Sequence, residues 1–127
     1  MRAMIGGLIL TVLGAAGASA EGLPTKIGQC VDTTIKSVGT RLEDGTGTPV
    51  AGSGSSVSFT NGGSQVSYEQ MPAVDTSRPG DPVKMCLVSI PRHCPPGDDR
   101  GREYKTTNLR THKSWRLPDS EHMCGGA

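Results

Sequence analysis

The stretch Ser55-Ser56-Val57-Ser58-Phe59-Thr60-Asn61-Gly62-Gly63-Ser64-Gln65-Val66-Ser67-Tyr68 decides the fold class. Polar and apolar residues alternate in each half, the period-two mark of a half-buried strand. The halves meet at Asn61-Gly62, the favoured pair for a two-residue type I′ turn, in which both positions need positive φ. With Thr60 opposite Gly63, Phe59 meets Ser64, Val57 meets Val66 and Ser55 meets Tyr68. Val57, Phe59, Val66 and Tyr68 then share one face, and Ser56, Ser58, Gln65 and Ser67 the other. The expectation is an antiparallel hairpin with an apolar inner face.

The same signals recur outward along the chain. Thr33–Leu42 reads as a strand, followed by an Asp44-Gly45 turn. The Gly/Ser-rich stretch 45–56 is short and interrupted by Pro49-Val50, so it reads as a connection inside one domain. Met71–Pro82 reads as a loop, with Arg78-Pro79-Gly80-Asp81 a type II turn: Pro second, Gly third. In Val83-Lys84-Met85-Cys86-Leu87-Val88-Ser89-Ile90 both alternate sets carry apolar residues, so this strand is expected to be central and covered on both sides. Arg102–Thr107 and His112–Leu117 form a last hairpin. A loop over 108–111 would set Tyr104 opposite Trp115 and Glu103 opposite Arg116. No segment keeps a helical period, and Gly (18) and Pro (9) exceed a fifth of the 127 residues. The expected fold is all-β: a small antiparallel sandwich or barrel of about six strands.

The first twenty residues have another character. A positive start, Met1-Arg2, precedes an apolar run to Leu13 and small residues ending Ala18-Ser19-Ala20. That order is a secretory signal peptide with its cleavage site, and the run is shorter than the roughly 20 residues of a membrane span. The expected organisation is a signal peptide over 1–20 and a single β-rich domain over 21–127, periplasmic or secreted, monomeric, and free of the membrane after cleavage.

After cleavage, basic and acidic residues balance, so no global charge calls for nucleic acid. With four aromatics (Phe59, Tyr68, Tyr104 and Trp115) the core is thin and needs staples. Export makes disulfides persistent. Cys30, Cys86, Cys94 and Cys124 allow three connectivities. Strand-like surroundings at Cys30 and Cys86, and loop-like ones at Cys94 and Cys124, favour Cys30–Cys86 and Cys94–Cys124. Each closed loop would contribute roughly 3–4 kcal/mol in the chain-entropy model.

No motif of catalysis stands out. There is no Gly-x-Ser-x-Gly elbow, no Gly-rich phosphate loop and no calcium-loop pattern. Adjacent Asp98 and Asp99 diverge in an extended chain and fit a solubilising loop better than a paired acid and base. Between Arg92 and Arg116 stand seven basic and three acidic residues. Interleaved in this way, they usually only solvate. Their binding alternative is a surface for an acidic partner, and the candidate surface is Arg78, Asp98, Asp99, Arg100, Arg102 and Arg110. His93, His112 and His122 with the cysteines offer a metal or enzyme alternative, although their spacing matches no zinc signature. No cofactor or metal is expected.

The signal segment together with Arg78-Pro79-Gly80-Asp81-Pro82-Val83, Ser89-Ile90-Pro91, Cys94-Pro95-Pro96-Gly97-Asp98 and Cys124-Gly125-Gly126-Ala127 resembles small exported bacterial proteins of uncharacterised function. That resemblance implies no activity. Size, export signal and β-rich pattern are also similar to the small disulfide-bonded β-barrel lysozyme inhibitors of the periplasm. Their Ser-Gly-x-x-Tyr type motif has no counterpart here, so the likeness is one of class. The leading expectation is a non-enzymatic binding or inhibitor module whose polar loops recognise a protein or glycan of the envelope. The alternatives are a structural or stress-protective envelope protein, and a metal-binding protein or enzyme.

Overall fold

The computed structural model describes residues 22–126 together with Gly6 and Gly7. The rest of the expected signal segment lies outside the described residues. Six strands form: β1 (Cys30–Thr40), β2 (Ser55–Phe59), β3 (Ser64–Ser67), β4 (Pro82–Ser89), β5 (Glu103–Asn108) and β6 (Ser114–Pro118). A single helical turn, α1 (Pro72–Asp75), interrupts the expected loop before β4. All neighbours are antiparallel, in one sheet of order β3-β2-β1-β4-β5-β6. The sheet curls until its edge strands β3 and β6 approach each other, giving a half-barrel rather than a sandwich. Both disulfides form as expected, Cys30–Cys86 and Cys94–Cys124.

The inner face holds the core. Val31, Ile35, Val57, Phe59, Val83, Met85, Leu87, Tyr104, Trp115 and Leu117 are buried there, and Val74 of α1 joins them. β4 is central, flanked by β1 and β5, but it is not covered on both sides. Val83, Met85 and Leu87 point inward, while Lys84 is exposed and Cys86 and Val88 are only partly covered. One curled layer leaves the outer face of its central strands to solvent. There the Cys30–Cys86 bridge joins directly opposed residues of β1 and β4.

The decisive hairpin forms with a different register. Gly62 N–H donates to Phe59 O at 3.1 Å and Phe59 N–H donates to Gly63 O at 2.9 Å. Gly62 has φ +89°, whereas Asn61 does not have positive φ. The loop is therefore Thr60-Asn61-Gly62, a turn followed by a left-handed glycine, one residue longer than a type I′ turn. Asn61 Oδ1 accepts the Gly63 N–H at 3.0 Å and supports this geometry. Because side chains alternate, a one-residue slip flips all of β3. Val57 now faces Gln65, and Ser55 faces Ser67. Gln65 is 2% exposed and Ser67 is buried, while Tyr68 turns outward at 57%.

The slip brings a polar side chain into the core, where it finds partners. Trp115 Nε1 donates to Gln65 Oε1 at 2.7 Å, and Gln65 Nε2 reaches Thr106 Oγ1 at 3.0 Å. Among the described residues no backbone ladder joins β3 to β6, so this side-chain bridge spans the gap. Tyr68, now outside, lies under the Arg41 guanidinium at 4.4 Å, and its hydroxyl donates to Glu121 O at 3.1 Å. Arg41 also pairs with the Glu121 carboxylate at 3.1 Å.

The β5–β6 hairpin slips by two residues, which preserves the faces. Thr106 stands opposite Trp115 and Tyr104 opposite Leu117, so Tyr104 and Trp115 are diagonal rather than direct neighbours. Both remain in the core. The loop is 109–112, closed by Asn108 N–H to Lys113 O, with His112 at φ +61°. Glu103 and Arg116 still bond, at 2.8 Å, along the diagonal.

Two substitutions test this arrangement. Gln65→Leu leaves the Trp115 N–H and Thr106 hydroxyl without their partner in a buried site, so urea unfolding is expected to show a loss of about 2–3 kcal/mol. Val66→Thr, on the outer side, is expected to change stability by less than about 0.5 kcal/mol. An unchanged Gln65→Leu midpoint would refute the register. Gly54 has φ +118°, and a Cβ there would lie 1.9 Å from Ser67 O. Gly54→Ala is expected to cost more than about 3 kcal/mol, read from the same curves. The bridges close separations of 56 and 30 residues, so a reductant is expected to lower the melting temperature markedly.

Candidate functional site

The sequence-derived candidate surface divides between the two ends of the half-barrel. Arg78 and Arg110 lie at the end where β4 begins and the β5–β6 hairpin turns. Asp98, Asp99, Arg100 and Arg102 lie at the other, where β4 ends and β5 begins. His112 sits on the hairpin turn, and His93 and His122 follow the opposite ends of β4 and β6. All four cysteines are in disulfides and offer no thiolate to a metal. Among the described residues no three His, Cys, Asp or Glu side chains converge as ligands, and no helix is long and apolar enough to cross a membrane.

The Arg110 end is closed. The Arg78–Asp81 turn forms with Gly80 at φ +88° and aims the Asp81 carboxylate inward. Asp81 accepts from Arg110 Nε at 2.7 Å and Nη2 at 3.0 Å, from Asn108 Nδ2 at 2.9 Å and from the Arg78 N–H at 2.8 Å. Asn108 also donates to Ser77 Oγ and accepts the N–H groups of Arg110 and Thr111. The fork from Arg110 is the largest reason that the Asp81 carboxyl is held well below the ordinary carboxylate range, with Asn108 and the Arg78 N–H adding to it against the cost of burial. Nearby α1 plugs the barrel with Val74, and Ser55 Oγ bonds Asp75 at 2.7 Å. Arg110 is thus committed to an internal latch.

The opposite end is an open mouth. A cleft of about 270 Å³ lies there, floored by Gln65, Met85 and Tyr104 and rimmed by Leu23, Gly62, Gly63, Ser64, Asp99, Arg100, Arg102, Asp119 and Ser120. The second disulfide holds one wall. Cys124 is tied to Cys94, its N–H donates to Arg100 O at 2.9 Å, and Gly101 packs under Met123 where a Cβ would come within 2.8 Å of Sδ. Gly101 takes φ +103° and donates its N–H to Asp119 Oδ1 at 2.8 Å.

The charged groups of this mouth differ in how they are used. Arg100 grips Asp98 through two bonds of 2.9 Å, and Gly125 N–H also reaches Asp98. These contacts hold the Asp98 carboxyl well below its usual range, Arg100 being the main cause. Asp119 is pushed upward by burial first and by the Asp99 charge second, against the Gly101 N–H. Burial, then Asp119, raises the Tyr104 phenol. Arg102 is partly buried, its Nε fully covered, and among the described residues its guanidinium joins no ion pair or side-chain hydrogen bond. A guanidinium, a phenol, hydroxyls and carboxylates over an apolar floor can bind and orient a small polar molecule. Gln65, Tyr104, Asp119 and Ser120 were not among the sequence candidates. Asp119-Ser120 follows a strand without a motif, and only the fold brings it to Arg102.

The Asp81 latch sets a pH dependence. A depressed carboxyl contributes stability above the ordinary Asp value of about 3.9 and loses it as pH falls through that value toward the folded one. Unfolding midpoints are expected to fall on acidification below about pH 4, less steeply in Arg110→Gln, which lacks the fork. A parallel pH profile in the variant would refute the latch. Asp119 contributes with the opposite sign, since its raised carboxyl favours the folded state more when protonated.

No protein-family model, curated protein or solved structure matches the chain.

Proposed function

We propose that the protein is a non-enzymatic binding module of an oxidising, extracytoplasmic compartment, and that the mouth cleft is its binding site. Two disulfides in a small domain fit such a compartment. The observation that carries the reading is the cleft itself: concave, built on the ends of β3, β4 and β5, and walled by a loop that the Cys94–Cys124 bridge holds in place. Rigid strands beneath a restrained loop give a preformed site, which lowers the ordering cost of binding. At the opposite end Arg110 is bonded into the Asp81 latch, whereas at the mouth Arg102 is in no direct salt bridge among the described residues.

The test is occlusion. Asp99 is exposed on the rim beside Asp119 and Tyr104, so Asp99→Trp occludes the cleft without disturbing the core. Oxidised wild-type and variant proteins are compared by thermal shift against envelope glycans, short peptides and small metabolites. At about 100 times its dissociation constant a ligand stabilises by about 2.7 kcal/mol, a shift of several degrees. The expected result is saturable stabilisation of the wild type that Asp99→Trp abolishes. Stabilisation that survives occlusion, or none with any compound, would reject the cleft as the site.

A further inference from the structure

Among the described residues, two buried side-chain polar atoms have no hydrogen-bond partner, Arg102 Nε and Asn61 Nδ2. Both are donors, and Asn61 directly precedes the cleft residues Gly62 and Gly63. Arg102 lines the cleft. Asn61 turns its Oδ1 to the Gly63 N–H. A Cβ on Gly63 would lie 3.1 Å from that oxygen, 2.8 Å from Leu23 Cδ2 and 3.6 Å from Met85 Cε. The Asn61 amide therefore lies on the side of Gly63 that faces Leu23 and Met85, two cleft residues. The Tyr104 phenol adds another donor, free of side-chain or backbone acceptors among the described residues. Buried donors left unpaired are costly, a charged one most of all. Of these groups, the Arg102 guanidinium and the Tyr104 phenol share the cleft lining, where an acceptor from outside the chain can meet them.

The charge balance selects the kind of acceptor. The neighbouring Arg100 is already neutralised by Asp98, and Arg41, Arg110 and Arg116 also have carboxylate partners. Among the described residues Arg102 is in no direct salt bridge, although its charge acts on Asp119, which with Asp99 stands on the same walls. A dianion would meet about twice the repulsion from those two carboxylates that a monoanion meets, and the one guanidinium can balance only a single charge. A carboxylate presents two coplanar oxygens to the guanidinium fork. Leu23, Met85 and the Tyr104 ring offer apolar surface to the rest of the ligand. A volume of about 270 Å³ sits at the low end of ligand sites and suits one amino-acid residue or one sugar ring.

We propose that the mouth cleft binds a small carboxylate monoanion, with its carboxylate on the Arg102 guanidinium and its body over Met85 and Leu23. The proposal rests on the binding-module reading and names its ligand class. Two sources share this chemistry, a peptide carboxyl terminus and a uronic acid.

Amide-resolved NMR titration of the oxidised protein tests it. The probes are N-acetyl-leucine against N-acetyl-leucinamide, glucuronate against glucose, and inorganic phosphate. The expected result is saturable shifts at Gly63, Arg102 and Tyr104 with a carboxylate probe, weaker by about tenfold or more with its neutral counterpart and in Arg102→Gln. Whichever carboxylate binds more tightly identifies the source. Tyr104→Phe removes only a hydroxyl and is expected to weaken binding about threefold to tenfold, so the test stands even if Arg102→Gln does not fold. Equal binding of neutral and charged probes, tighter binding of phosphate, or unchanged affinity in both variants would overturn the carboxylate assignment while leaving a binding cleft in place. Absence of saturable shifts with every probe would overturn it too, and the occlusion experiment decides the wider reading separately.

Discussion

The hydrogen bond from Trp115 Nε1 to Gln65 Oε1, 2.7 Å long, is the contact on which the shape of the molecule depends. A six-stranded antiparallel sheet has two unpaired edges, and among the described residues no backbone ladder joins β3 to β6. Instead one carboxamide on the first edge meets an indole on the other, with Thr106 as a third member. The thin core makes this effective. Trp115 supplies much of the apolar area, and its N–H is the polar handle by which that area is held in place. Burial of Gln65 in turn sets the register of β3 and sends Tyr68 outward. Stacked under Arg41 and bonded to Glu121, Tyr68 then anchors the C-terminal tail that forms one wall of the mouth.

The two ends of the half-barrel use polar residues differently. At the α1 end, Asp81, Asn108, Ser77 and Arg110 satisfy one another and seal the barrel. The buried Asp81 carboxylate is stabilised because its hydrogen bonds are complete and the exposed Arg110 supplies the counter-charge. At the mouth, donors remain without acceptors, and the strands that carry them are fixed by the core and by the Cys94–Cys124 bridge. A protein of this size can seldom leave polar groups unsatisfied in its interior.

Local signals were legible in the sequence. Period-two patterning located the strands, Pro-Gly order identified the turn at Arg78–Asp81, and the contexts of the four cysteines identified their pairing. Register was not legible at either hairpin. Asn61-Gly62 is compatible with a two- or a three-residue loop, and the choice falls to Gln65, whose partners are 41 and 50 residues away. The apolar run of β4 suggested cover on both faces, but alternation cannot tell a second layer from a disulfide lying on an open face. The cleft was only half visible for the same reason. Arg102 and Asp99 stood out as charges, whereas Asp119 and Tyr104 acquire their roles from segments that meet only after folding.

The strand order also divides the sheet into two three-stranded meanders, β1-β2-β3 and β4-β5-β6, whose first strands pair with each other. Within each meander every contact is between strands adjacent in sequence, so each can form early and independently. The β1–β4 seam is the one long-range pairing of the ladder, and Cys30–Cys86 lies across it. Until that seam closes the chain has four free strand edges instead of two, and two of these belong to the longest strands of the fold. The Cys30–Cys86 bridge thus joins two half-sheets covalently, across the very edges that would otherwise be most open to pairing with another chain.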